Sequence, residues 1–150
     1  MAGKKTTLGL GREIQKNRRR DVEDYLEKWV QENEEELKDI SLAEYLNELL
    51  EQYGTKKSHI IQNANVDTTY AYQIFQGKKE RPDRDILLQL AFGFGLSVQE
   101  TGHLLYYGGA NNLYPRVKRD AYIMFALHNK FNLHRVNELL EGQGMEVLGK

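Results

Sequence analysis

The sequence is short of the residues that build covalent frameworks and membrane spans. It contains no cysteine and only two prolines among 150 residues. The lack of cysteine excludes a disulfide framework and a thiolate metal site, and it fits a reducing cytoplasm. No apolar run approaches the roughly 18 residues that a membrane-spanning helix needs, and the N-terminus lacks the apolar core of a signal peptide. We therefore expect a cytoplasmic protein without a membrane segment.

Side chains suited to catalysis or metal binding are also scarce. The three serines have local structural roles, because Ser41 and Ser97 are placed as helix caps and Ser58 lies in the first turn of a short helix. The four histidines show no metal-ligand pattern with carboxylates. Gly93 and Gly95 form a G-x-G without the third glycine of a phosphate-binding loop, at a position where a helix is expected to end. The sequence predicts no enzyme, no metal and no cofactor.

The net charge of −1 conceals three regions of different charge. Residues 1–20 carry a net charge of +6, residues 21–53 carry −10, and residues 54–150 carry +3. A basic segment with few apolar residues is typical of a mobile arm, which serves either as a solubilising tail or as an arm along a DNA backbone. The acidic run Glu34–Glu36 is either a solvated face or a surface that repels DNA.

Helical periodicity accounts for most of the chain, so the predicted fold class is all-α. An amphipathic helix is predicted within 21–39, and a second helix from a Ser41/Glu44 capping box to Gly54. Pro82 and Asp83 start a helix over Ile86–Phe94. Another capping box, Ser97/Glu100, opens a helix that ends at Gly108.

The last part of the chain repeats the part before it at an offset of 35 residues. Arg84-Asp85 matches Arg119-Asp120, and Leu104-Leu105 matches Leu139-Leu140. Further matches are Ala91 with Ala126 and Gly109 with Gly144, and Asn132 takes the capping place of Ser97. We therefore expect a second helix pair that is built like the first and packs on it.

Between these helices, the segment from Thr55 to Lys79 predicts two short helices joined by a tight turn. Thr55 is expected to cap the first helix and Asp67 the second. Asn65 stands at the reversal, where it tolerates the left-handed conformation, and Gly77 ends the second helix. The apolar residues of each helix fall on one face, so polar side chains are left on the other: Thr68, Thr69, Tyr72, Gln73 and Gln76.

These residues resemble the helix-turn-helix of the Xre (phage-repressor-like) family, over roughly Leu42 to Gly108. The similarity lies in Thr55-Lys56-Lys57-Ser58, Ile60, Asn65-Val66-Asp67, Ile74 and Gln76-Gly77-Lys78. It implies a five-helix DNA-binding domain, flanked here by an N-terminal helix and an extra C-terminal helix pair. The expected organisation is a basic flexible arm (1–20), an acidic amphipathic helix (21–39), a helix-turn-helix domain (40–110), and a C-terminal helical hairpin (111–150) repeating 84–110.

The predicted function is a sequence-specific transcriptional regulator of double-stranded DNA, in which helix 68–76 enters the major groove. The candidate base-reading residues are Thr68, Thr69, Tyr72 and Gln73. The candidate phosphate ligands are Lys56, Lys57, Lys78, Lys79 and Arg81.

Other interpretations of the same residues stay open. The two tyrosines of the second short helix, Tyr70 and Tyr72, suit a protein partner as well as thymine methyl groups, so the chain is alternatively a protein-binding adaptor on a helix-turn-helix scaffold. A second set of aromatic and apolar residues is either core between the helix pairs or a surface for a homodimer or a protein regulator: Tyr106, Tyr107, Leu113, Tyr114 and Tyr122.

Overall fold

The computed structural model describes residues 7–149, with side chains described from residue 19 onward. Within that part of the chain there are eight α-helices and no strand. The all-α fold class is therefore confirmed. The chain divides into two compact units, Met1–Lys38 and Asp39–Lys150.

The first unit contains one long helix, α1 (Thr7–Asn33). Most of the predicted basic arm, from Thr7 onward, is helical, and residues 1–6 of that arm lie outside the described residues. The helix ends at Asn33, before residue 39 where the prediction placed its end, and turns follow at residues 34–36. Asn33 closes it by donating its side-chain amide to the carbonyl of Trp29, 2.8 Å away.

The second unit contains seven helices: α2 (Leu42–Tyr53), α3 (Lys57–Ala64), α4 (Thr68–Phe75), α5 (Arg84–Phe94), α6 (Val98–Tyr107), α7 (Lys118–His128) and α8 (Leu133–Gly142). Their apolar faces form one core, which extends from Leu42 in α2 to Leu148 beyond α8. The C-terminal helices therefore share a core with the helices before them.

Both ends of α2 and the starts of α6 and α8 follow the capping chemistry that the sequence indicates. Ser41 accepts the amide of Glu44 at the start of α2, and Gly54 ends that helix in the left-handed conformation at φ 60°. The Ser97/Glu100 capping box of α6 is complete in both directions. Asn132 accepts the amide of Arg135 at the start of α8, at 2.9 Å.

Helix α6 is attached to α2 through tyrosine hydroxyls. Tyr53 donates to the Glu100 carboxylate at 2.7 Å, and Tyr45 donates to the Glu100 backbone carbonyl at 3.4 Å. Burial and the bond to Glu100 raise the pKa of Tyr53 to about 12. Burial raises the pKa of Glu100, but bonds from Ser97 and Tyr53 outweigh that effect, so the net shift of its pKa is downward.

Two helix pairs, α5–α6 and α7–α8, follow one another along the chain. Both pairs turn through a left-handed residue at the same repeat position, Gly95 (φ 73°) and Lys130 (φ 58°). Both are followed by a glycine with positive φ, Gly109 (70°) and Gly144 (69°).

The two pairs are joined by reciprocal ion pairs between their first helices. The Arg84 guanidinium donates to both carboxylate oxygens of Asp120, at 2.9 and 2.8 Å. The Arg119 guanidinium donates to both carboxylate oxygens of Asp85, each at 2.9 Å. The repeated Arg-Asp dipeptides thus exchange partners, and the first turns of α5 and α7 lie together.

Candidate nucleic-acid interface

The two short helices α3 and α4 are joined by the turn that the sequence predicts. Asn65 adopts the left-handed conformation at φ 52° and donates its amide to the carbonyl of Gln62. Asp67 caps α4 by accepting the amide of Tyr70 at 3.0 Å. The predicted cap of α3 is wrong. A cap at Thr55 requires the helix to begin at Lys56, whereas α3 begins one residue later, at Lys57. Lys56 therefore occupies the N-cap position, and its side chain makes no hydrogen bond to the helix.

Helix α3 lies very close to α5. A Cβ placed on Gly93 would lie 2.8 Å from the carbonyl oxygen of Ile60 and 2.9 Å from the Cβ of Ala64. Only glycine fits this crossing without a shift of the backbone. The bulky side chain of Ile61, in the same helix, is accommodated in the core and is only 3 % exposed.

Helix α4 has a fully buried inner face. Ala71 and Ile74 are each 0 % exposed, and Phe75 is 2 % exposed. The side-chain amide of Asn47 in α2 donates to the carbonyl of Phe75 at 3.2 Å and so holds the end of α4. Core packing and the bond from Asn47 therefore hold α4 in place, and the residues on its opposite face are the ones that reach the surface.

The four candidate base-reading residues differ in exposure. Thr68 and Thr69, in the first turn of α4, are exposed, whereas Tyr72 and Gln73 are half-buried. Tyr72 leans toward α3, since with Thr68 it lines a cleft of about 340 Å³ whose opposite wall includes Ser58 and Ile61. The two threonines are thus the most accessible of the four, and Thr68 and Tyr72 border the cleft next to α3.

The candidate phosphate ligands form two groups along the chain. Lys56 is exposed before α3, and Lys57 is half-buried with its ammonium nitrogen 5.9 Å from the centre of the Phe75 ring. Lys78, Lys79 and Arg81 are exposed in the loop after α4.

The second group borders a cleft that the sequence did not indicate. Lys79 and Arg81 line about 550 Å³ together with the first turn of α2, Ser41 to Glu44. Glu44 and Glu80 also line it. Two cations and two anions make this cleft close to neutral, so it does not act as a phosphate site by charge alone.

The aromatic set near the C-terminal pair is divided between core and surface. Leu113 and Tyr114 are buried at 1 % and 6 % exposure, Tyr107 and Tyr122 are half-buried, and Tyr106 is 45 % exposed. A neighbouring residue, Phe125, is 53 % exposed and was not singled out from the sequence. With Ala121, Tyr122 and Leu139 it lines an apolar cleft of about 400 Å³ between α7 and α8. The 35-residue repeat is the sequence feature that points to this cleft. The four residues that line it stand at the repeat positions of apolar residues in the first pair, Ile86, Leu87, Leu90 and Leu104.

Across residues 19–149, whose side chains are described, no group of three or more His, Asp or Glu has the arrangement of a metal site. The same part of the chain contains no helix that is both long and apolar enough to cross a membrane. Comparisons with protein-family models, with curated proteins and with solved structures found no match to this chain.

Proposed function

We propose that this chain is a sequence-specific DNA-binding transcriptional regulator of the Xre type, in which α4 (Thr68–Phe75) reads the major groove. The observation that carries the proposal is the contrast between the two faces of α4. Its inner residues Ala71 and Ile74 are 0 % exposed, while Thr68 and Thr69 are exposed on the other face. A reading helix needs this combination, because it must be held rigidly and still present hydrogen-bonding groups.

The size of α4 suits the groove. With its side chains an α-helix is about 10–12 Å across, comparable to the width of the B-DNA major groove of about 12 Å. The Gln73 amide is suited to bidentate recognition of adenine, and threonine offers a hydroxyl and a methyl group that contacts thymine. We assign base reading to Thr68, Thr69 and Gln73, with Tyr72 at the edge of the contact.

Lysines at the start of α3 and after α4 supply phosphate contacts in this proposal. Lys56 occupies the N-cap position of α3 and Lys57 is its first residue, at a helix end that favours an anion, and Lys78 and Lys79 follow α4. Each phosphate contact steepens the salt dependence of binding by about 0.9 log units per log of salt concentration.

The test begins with selection of bound duplexes from a random pool, followed by titration of the selected duplex and an unrelated one. Gln73→Ala should weaken binding to the selected duplex about tenfold and leave the unrelated duplex unaffected. Lys79→Ala should weaken both duplexes alike and reduce the salt slope by about 0.9. Lys118→Ala, at an exposed lysine of α7, is the matched control and should change neither. Wild-type behaviour of both Gln73→Ala and Lys79→Ala on the selected duplex would overturn these assignments.

A second function, a protein-binding adaptor, is favoured by the apolar surface around Phe125 and by Tyr72 on the outer face of α4. The two functions predict different results in one experiment. A regulator shifts the selected duplex in a salt-dependent way, whereas an adaptor shifts no duplex and is recovered with a protein.

A homodimer through the C-terminal helices would place two reading helices on paired half-sites. The exposed ring of Phe125 is the residue at which to test this, because Phe125→Glu would place a charge in the centre of such an interface. Sedimentation should show a dimer for the wild type and a monomer for Phe125→Glu. Equal sedimentation of both proteins would remove this surface from the proposal.

A further inference from the structure

One polar side chain is buried inside α5, the helix against which α3 packs. Gln89 is 4 % exposed and lies between Leu88 and Leu90, which are each 0 % exposed. Burial of an amide is costly unless it is hydrogen-bonded. The stability of Gln89 in this place therefore depends on the groups that its amide contacts.

Those groups belong to the turn between α3 and α4. The amide nitrogen of Gln89 donates to the carbonyl oxygen of Ala64 at 3.1 Å and to that of Asn65 at 3.3 Å. Ala64 is the last residue of α3 and Asn65 is the left-handed residue at which the chain reverses. Carbonyls at a helix end have no partner further along the helix, so side-chain donors can fix their direction. Gln89 thus holds the point from which α4 departs.

The C-terminal segment, Met145–Gly149, covers this amide. Gly149 has φ 71°, and a Cβ at this position would overlap the amide nitrogen of Gln89, so the Gly149 backbone lies directly on that side chain. The preceding residue, Leu148, is 0 % exposed. The Asn137 side chain in α8 donates to the Leu148 carbonyl at 2.7 Å and accepts the Leu148 amide at 2.8 Å. A chain of direct contacts therefore runs from α8 through the C-terminal segment and Gln89 to the turn before α4.

We propose that Gln89 is a positioning residue for DNA reading: held down by the C-terminal segment, it fixes the angle between α3 and α4 and thereby couples the C-terminal helix pair to sequence discrimination. This inference rests on the proposed DNA-reading function. Base contacts depend on sub-ångström placement of α4, whereas phosphate contacts by flexible lysines do not. Loss of the Gln89 bonds should therefore lower discrimination and spare non-specific affinity.

The first experiment compares Gln89→Met, which keeps the length of the side chain without its donor, with Gln89→Glu. The readout is the ratio of affinities for the selected duplex and an unrelated duplex. Both variants should lower this ratio about tenfold at pH 7.5 with unchanged affinity for the unrelated duplex. At pH 5 the ratio should recover for Gln89→Glu alone, since a protonated carboxyl group can donate to a carbonyl and a thioether cannot. Gln99→Glu, at an exposed position of α6, is the matched control. An unchanged ratio in both Gln89 variants, or an equal loss on both duplexes, would overturn the proposal.

The second experiment needs no DNA. In full-length Gly149→Val, amide hydrogen exchange at Asn65 and Tyr70 should be about tenfold faster than in the wild type, while exchange at Leu46 and Leu49 in α2 stays the same. Unchanged exchange at the turn would show that the C-terminal segment does not hold it, and would overturn the coupling. If exchange changes as expected but neither protein binds any selected duplex, the mechanical link stands and the DNA-reading function fails.

Discussion

The two helix pairs α5–α6 and α7–α8 share a sequence frame, the same left-handed turn positions and the same positive-φ glycine after the second helix, yet their apolar faces meet different surroundings. In the first pair, Leu87, Leu90 and Leu104 are all 0 % exposed within the common core. In the second pair, the residues at the same repeat positions are Tyr122, Phe125 and Leu139, and they border an open apolar cleft. Two helix pairs with the same local structure therefore differ in how far their apolar faces are buried, because burial depends on which other parts of the chain pack against each face.

The largest expected difference between the pairs concerns the leucines at matched positions. Leu104→Ala removes a fully buried side chain and should lower the free energy of unfolding by about 3 kcal/mol. Leu139→Ala removes one that is half-buried at the cleft and should cost about 1 kcal/mol or less. Urea unfolding of both variants measures the difference. Equal destabilisation would mean that the second pair is covered in solution, for example by another copy of the chain.

The reciprocal ion pairs should also prove unequal. Asp120 is 4 % exposed and accepts the Tyr114 amide in addition to Arg84, so Asp120→Asn should cost about 2 kcal/mol. The Asp85 side chain is 36 % exposed, and Asp85→Asn should cost about 1 kcal/mol or less because water screens the pair. Thermal or urea unfolding of the two single variants tests this order. A larger loss for Asp85→Asn would contradict the burial argument.

The left-handed turn positions offer a comparison of smaller size. Lys130 adopts φ 58°, a conformation that costs a non-glycine residue about 1 kcal/mol, whereas its counterpart Gly95 adopts φ 73° without that cost. Lys130→Gly should therefore stabilise the protein by several tenths of a kcal/mol, even though it removes an exposed bond from the Lys130 ammonium to the Gly95 carbonyl. Gly95→Ala should destabilise it by about 1 kcal/mol. Unfolding midpoints at constant denaturant slope report both changes, and a loss of stability in Lys130→Gly would refute the expectation.

The smallest effect is a pH dependence confined to the first pair. Glu100 completes the capping box of α6, and the same repeat position in α8 is Arg135, which cannot accept the corresponding amide. The pKa of Glu100 is lowered in the folded protein, so its ionised form stabilises the fold above the unfolded pKa of 4.5, and that contribution is lost as the pH falls through the folded pKa.

Unfolding of the wild type and of Glu100→Gln from pH 7 to pH 3 tests this. The stability of the wild type should fall relative to the variant over that interval by less than about 1 kcal/mol, because the carboxylate is partly exposed to water. A constant difference between the two proteins would show that Glu100 does not contribute. Glu141→Gln, at an exposed carboxylate of α8, serves as the control.

The sequence by itself determined the helical class, most helix ends and the repeat. These features are local: Gly54, Gly95 and Asn65 specify left-handed positions, and Asp67, Ser97 and Asn132 place an acceptor beside the first amides of a helix. The same local chemistry defined which face of α4 is apolar. Thr55 was misassigned because capping preference favours Thr over Lys, whereas α3 begins at Lys57 and so places Lys56 at the cap without a side-chain bond.

Only the tertiary structure decided which equivalent faces are covered and which polar groups meet across the fold. Residues that are distant in sequence meet in the ion pairs between Arg84-Asp85 and Arg119-Asp120 and in the contact of Gly149 with Gln89. The exposure of Phe125 likewise depends on which distant elements pack near it. The sequence shows Gln89 as a single amide among apolar residues, but it does not show that this amide bonds to the carbonyls of Ala64 and Asn65. Hydrophobic periodicity states that a face is buried without naming what buries it, and so these contacts follow from the packing of the whole chain.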